Sequence, residues 1–110
     1  GELPGKTSDI YQMFSASMLN PLPDDRKEFL SAMGLADEFT EEMAEFITKR
    51  EDVHQILKML TRQNAFVTCL NDGQTYRFHH MMKECAFRAF RTLDDSRQAF
   101  YYERKRFWKF

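Results

Sequence analysis

No apolar run in this chain approaches the ~20 residues needed to cross a bilayer, and no signal-peptide pattern opens it, so the sequence reads as that of a cytoplasmic protein. Glycine and proline are scarce, four and three in 110 residues, which excludes collagen-like and low-complexity chains. Cysteine is scarcer still. Cys69 and Cys85 both lie in apolar surroundings, which predicts two buried thiols in a reducing compartment rather than a disulfide framework. Net charge is nearly absent too, at −1 from 16 basic and 17 acidic side chains. What is present is 43% hydrophobic, 15% aromatic and 30% charged residues, the profile of one soluble globular domain with a single core and not of a disordered or coiled-coil chain. The chain opens at Gly1 without an initiator Met and reads as a piece of a longer protein.

The small net charge conceals a division. Residues 1–74 carry 7 basic and 13 acidic side chains, whereas residues 75–110 carry 9 and 4. The basic second half is expected to pack across the acidic first half; an anionic partner is the alternative.

Residues 1–7 have no periodic pattern and read as a linker remnant. After Ser8 and Asp9, Ile10, Phe14 and Met18 recur at helical spacing to about Leu19, where Asn20-Pro21-Leu22-Pro23 stops the helix. A second helix is expected from Asp24 or Asp25, with Phe29, Leu30 and Met33 inward and Gly34 in the left-handed position after its end. Thr40 is the N-cap of a short third helix that buries Met43, Phe46 and Ile47. A fourth begins near Asp52, with Val53, Ile56, Leu57 and Leu60 inward and Asn64 as its stop.

The period then changes from 3.6 to 2. Phe66–Leu70 and Thr75–Phe78 are β-type runs around Asn71-Asp72-Gly73-Gln74, which predicts a hairpin. Helical spacing returns with Met82, Cys85, Ala86, Ala89, Phe90 and Leu93. Asp94, Asp95 or Ser96 caps a last helix running towards Trp108. The predicted class is mainly α: a winged-helix-like domain over residues 8–93 with one β-hairpin, and a C-terminal helical extension over 94–110 leading to the next domain.

Most candidate chemistry dissolves on inspection. Gly5-Lys6-Thr7 copies the end of a phosphate-binding loop but lacks its first glycine and its leading strand, and Pro4 removes an amide donor. Cys69, His79, His80, Cys85 and His54 have no zinc-ligand spacing, and Cys69 falls on an apolar strand and Cys85 on an apolar helix face, surroundings that raise a thiol pKa and disfavour a nucleophile. The acid pairs Asp24-Asp25, Glu41-Glu42 and Asp94-Asp95 fall at helix starts, where they serve the dipole. No catalytic residue is assigned, and the chain is read as a non-enzyme.

Phe78-His79-His80-Met81-Met82 stands out. The two imidazoles fall at the strand-to-helix junction, where first-turn amides and the helix dipole favour an anion. The plain alternative is that one ring packs under the hairpin and the other is solvated. Phe100, Tyr101, Tyr102, Phe107, Trp108 and Phe110, interleaved with Arg104-Lys105-Arg106 and Lys109, supply more aromatic surface than one side of a small domain buries, so a neighbouring domain or a second copy is expected there.

Phe29-Leu30, Phe39-Thr40, Ala44-Glu45-Phe46-Ile47-Thr48, Ile56-Leu57-Lys58-Met59-Leu60, Asn64-Ala65-Phe66 and Tyr76-Arg77-Phe78-His79-His80-Met81-Met82 together resemble the region that follows the ATPase core in MalT-like regulators. These are LuxR-family transcriptional activators built on a signal-transduction ATPase. The family often has Trp near Thr75 and Leu-Phe in place of Met81-Met82. The resemblance implies a winged helix between a nucleotide-binding core and a superhelical sensor domain, a switch part with no activity of its own. ATP or ADP is expected in the full-length parent, with no cofactor in this fragment, and DNA is bound only through a separate C-terminal domain. His79 best matches the winged-helix histidine that contacts nucleotide phosphate in related ATPases, with His80 as the neighbouring position. The contrasting reading is a free-standing DNA-binding winged helix whose recognition helix, at about 52–63, offers Gln55, Lys58, Arg62 and Gln63.

Overall fold

The structure, a computed structural model, describes residues 10–108. The Ser8 and Asp9 caps, the Gly5-Lys6-Thr7 segment, Lys109 and Phe110 lie outside the described residues. Residues 10–14 are α-helical and Ser15–Leu19 continue as a π-helical segment, closed by the Asn20 amide donating to the Ser15 carbonyl at 2.7 Å. Five α-helices follow: α1 (Asp24–Met33), α2 (Glu41–Thr48), α3 (Val53–Arg62), α4 (His80–Phe90) and α5 (Asp95–Phe107). Three short strands, β1 (Glu38–Thr40), β2 (Val67–Cys69) and β3 (Thr75–Phe78), form an antiparallel sheet in the order β1-β3-β2.

Local chemistry explains the helix starts. The Thr40 hydroxyl accepts the Met43 amide at 3.2 Å, and Glu41 and Glu42 occupy the first turn of α2. At the end of α3, Asn64 has φ +52°, its amide donates to the Thr61 carbonyl at 3.2 Å, and the Ala65 amide donates to Leu60 at 2.9 Å. That pair of bonds is a Schellman cap, so Asn64 is the stop its position in the sequence suggests.

Asp94 caps α5, its carboxylate accepting the Arg97 amide at 2.8 Å and the Ser96 hydroxyl at 2.9 Å. Those two bonds, the Arg97 amide first, hold its carboxyl below the ordinary carboxylate range. A group whose folded pKa is depressed stabilises the fold fully above its unfolded value, about pH 4, and loses that contribution as the pH falls through the folded value. Asp94→Asn keeps an acceptor but no charge. The wild-type advantage in urea midpoint should therefore hold at neutral pH and shrink below about pH 4; a pH-independent gap would contradict this.

Gly34 corrects a sequence expectation. It is right-handed, at φ −63° and ψ −12°, and not the left-handed residue its place after α1 suggests. Its function is proximity: a Cβ there would lie 2.9 Å from Ala86 Cβ on α4. α1 and α4 form the most extensively packed helix pair, and Leu30, Met33, Met82, Ala86 and Phe90 are completely buried between and around them.

The strand β1 is an addition to the expected hairpin. Phe39 pairs with Tyr76 across β3 and Val67 pairs with Phe78, which places Phe39, Tyr76, Val67 and Phe78 on the core face and Arg77 outside, ion-paired to Glu38. Cys85 is buried, but Cys69 is exposed, contrary to the expectation of two buried thiols. It is the last residue of β2, an edge strand of the sheet, and lies opposite Tyr76.

α5 folds back onto α2. Tyr101 is buried and its phenol donates to Glu28 at 2.5 Å, Arg104 spreads over the Phe46 ring at 4.3 Å, and Trp108 packs on the same ring at 5.6 Å. Burial, then the Glu28 carboxylate, pushes the Tyr101 phenol well above its usual range, so it remains a donor. Lys83–Asp37 at 2.6 Å and Arg97–Glu28 at 3.1 Å join basic second-half residues to acidic first-half ones, the pairing that the charge division predicts. Exposed pairs of this kind contribute about 0–1 kcal/mol each, so they orient the halves more than they stabilise them.

Candidate functional site

Strand alternation along β3 buries Tyr76 and Phe78 and turns Arg77 outward. Phe78 and, one turn into α4, the completely buried Met82 then pin the junction from below. His79, at φ −58° and ψ 145°, is extended and serves as N-cap, and His80 is the first residue of α4. Both histidines are exposed, and their rings stack with centroids 4.3 Å apart and planes 30° from parallel. The alternative in which one ring packs beneath the hairpin does not hold.

His79 is the more tightly held. Its backbone amide donates to the Phe66 carbonyl at 2.8 Å, its ring meets the Phe66 ring edge-on at 5.4 Å, and its Nδ1 accepts the Met81 amide at 3.1 Å. An Nδ1 that accepts leaves the proton of a neutral imidazole on Nε2, which makes Nε2–H a donor. Nε2 makes no hydrogen bond among the described residues.

The surroundings suit an anion. No acidic residue occupies the first turn of α4. Two carboxylates close to α4 are engaged, Glu84 with Arg88 at 3.0 Å and Asp37 with Lys83 at 2.6 Å. The Lys83 bond comes first in holding Asp37 below the usual carboxylate range. Beside His80 opens a groove of about 520 Å³ that Leu35, Phe87 and Tyr102 line on its apolar side and Lys83 and the Arg88-paired Glu84 on its polar side. First-turn amides, the positive dipole end and an imidazole N–H are the groups that bind phosphate oxygens.

The sheet and α3, where a duplex-binding winged helix makes its contacts, look different. His54 is tied to Glu41 at 2.7 Å, and Arg50 is taken up by Asp52 at 2.8 Å and Asp25 at 3.2 Å. That leaves Lys58 and Arg62 as the cations of the exposed α3 face. At the wing tip Asp72 accepts the Gln74 and Thr75 amides and the Thr75 hydroxyl, at 2.9, 2.9 and 2.6 Å. Phosphate neutralisation dominates duplex affinity, and an acidic wing with two helix cations supplies little of it.

The residues 15–102 match the family model of the MalT winged helix domain. The chain belongs to that family. A search of the curated proteins and a search of the solved structures each returned no match. The MalT winged helix is a regulatory domain of transcription control, and the mainly α architecture with a small antiparallel sheet observed here is consistent with a winged helix.

Met82 and Thr75 have distinct surroundings in this MalT winged helix. Met82 keeps an entirely buried apolar place. Thr75 turns its hydroxyl into the wing, and the wall beside it is a cleft of about 410 Å³ bounded by Phe39, Met43 and Trp108. Sequence reasoning reached His79 and His80 but missed Phe66, whose part in the site depends on a contact across 13 residues. Among the described residues no three His, Cys, Asp or Glu side chains converge on a metal position, and no helix is long and apolar enough to cross a membrane.

Proposed function

We propose that this domain couples nucleotide state to activation in an ATP-dependent, LuxR-type transcriptional regulator, with His79 donating from Nε2 to a phosphate of ADP held by the ATPase core of the same parent chain. The reading rests on one arrangement: two exposed, stacked imidazoles at the start of α4, the first oriented by its own cap bond. His80 and the engaged Lys83 flank the same edge. In the resting form the contact holds the domain against the core; exchange for ATP together with inducer releases it and exposes the surfaces for assembly. The sensor domain is the partner that the exposed aromatics of α5 would meet, with a second copy of the chain as the other candidate, and DNA is contacted by another domain.

A single charge-assisted contact of this kind contributes about 1–3 kcal/mol, which shifts a two-state equilibrium by roughly 5- to 150-fold. His79→Ala in the full-length regulator should therefore raise inducer-independent transcription and speed ADP release by a factor in that range. His79→Gln, which retains an N–H donor, should recover part of the loss. Unchanged basal transcription with unchanged ADP retention overturns the reading. Submicromolar, steeply salt-dependent duplex binding by the 110-residue chain would favour the DNA-binding reading instead.

A further inference from the structure

We propose that Phe66 is a positioning residue for His79, an inference that rests on the reading of His79 as a phosphate donor. Phe66 has φ +61°, a conformation that bulky side chains avoid because Cβ crowds the backbone. Asn64, two residues earlier, is left-handed because it caps α3; no helix cap asks the same of Phe66. Strain that no local motif explains persists where the surrounding structure over-determines it.

The bend turns both ends of Phe66 toward one histidine. Its carbonyl accepts the His79 amide at 2.8 Å, and its ring stands edge-on to the imidazole, with centroids 5.4 Å apart and planes at 77°. Behind it, Phe14 packs against the same ring at 4.9 Å and 71°, so the helical turn that precedes the π segment braces the contact. His79 is thereby fixed at four places: its amide by the Phe66 carbonyl, one ring edge by the Phe66 ring, Nδ1 by the Met81 amide and one face by His80. Nε2 is the atom these contacts leave free to donate. An extended residue between β2 and α3 would satisfy the hairpin but would carry the ring away from His79, so the left-handed conformation and the imidazole orientation are one feature.

The test is 15N NMR of the histidine rings in the 110-residue chain, which separates the Nε2–H tautomer from an average of both. Phe66→Gly keeps the backbone conformation and removes the ring. Its His79 nitrogen shifts should move from a single Nε2–H pattern towards the tautomer average, with loss of the ring-to-ring nuclear Overhauser contact. Phe66→Leu keeps an apolar contact with Phe14 and should shift the same signals less, whereas Phe66→Tyr should retain the wild-type pattern. A folded Gly or Leu variant with an unchanged His79 pattern overturns the proposal, and if Phe66→Gly does not fold, Phe66→Leu decides.

ADP retention by the full-length regulator then separates this inference from the reading beneath it. Faster release in both His79→Ala and Phe66→Gly supports both. Faster release in His79→Ala alone sinks the positioning role, and unchanged release in both, with the tautomer disturbed, sinks the phosphate reading while Phe66 still orients the ring.

Discussion

Phe90→Ala should lower the free energy of unfolding by about 3–5 kcal/mol, and the loss should fall hardest on α5. Phe90 closes α4 and is completely buried. Its ring carries the Tyr102 ring edge-on at 5.1 Å and the Tyr101 ring at 6.3 Å, so it is the floor on which the last helix rests. Alanine leaves a cavity that rigid helices on two sides can only partly close, and the cavity adds to the lost transfer free energy. Other anchors of α5 include the Tyr101–Glu28 bond, the Arg97–Glu28 pair, the Arg104 bond to the Phe46 carbonyl and Trp108 against Phe46. Urea unfolding gives the total, and amide exchange gives its distribution. Residues of α5 should lose protection beyond the global loss, while α1 follows the global value. A total below about 1 kcal/mol would mean that α5 does not depend on this ring.

Gly34→Ala should destabilise the fold by about 1–3 kcal/mol, although the same change in an exposed helix ordinarily helps by up to about 1 kcal/mol. The sign is set by one distance, 2.9 Å from the new Cβ to Ala86 Cβ, in a pair of helices whose facing residues Leu30, Met33, Met82 and Ala86 are completely buried. Because Gly34 is right-handed, backbone strain cannot supply the effect. Ala86→Gly in the same chain removes the atom that is struck. The double variant should therefore be more stable than the sum of the two single changes allows, with a coupling of about 0.5–3 kcal/mol in a thermal or urea cycle. Additive losses would show that α1 and α4 can move apart at this point without consequence.

The proposed phosphate contact and these packing contacts are joined through α4. Met82, Ala86 and Phe90 fix that helix against α1 and α5, and its first turn carries the two imidazoles. A variant that loosens the packing without unfolding the domain would disturb the position of His79 as well. Stability should therefore be measured beside any effect on ADP release before a change is assigned to the phosphate contact.

How much of this was legible beforehand follows from the range of each interaction. Thr40, Asp94 and Asn64 terminate or start helices through bonds to amides or carbonyls within four residues, so Thr40 and Asn64 were readable from residue type and place and Asp94 as one of three adjacent candidates. The apolar stripe Met82-Cys85-Ala86-Phe90 was readable for the same reason, since helical spacing depends on the helix alone. β1 was not. It is three residues long and exists because Phe39 meets Tyr76, 37 positions away. Cys69 looked buried among apolar neighbours in sequence, but an edge strand leaves its last residue uncovered.

The sequence by itself determined the order of the helices and the hairpin, the winged-helix class and the placement of His79 and His80 at a strand-to-helix junction, because these follow from periodicity and capping among near neighbours. Only the tertiary structure decided that Gly34 serves proximity to α4, that both imidazoles face outward, and that Phe66, braced by Phe14, orients one of them. Each of those depends on which atoms meet across the chain at van der Waals distance, and that is fixed by packing, not by any local pattern.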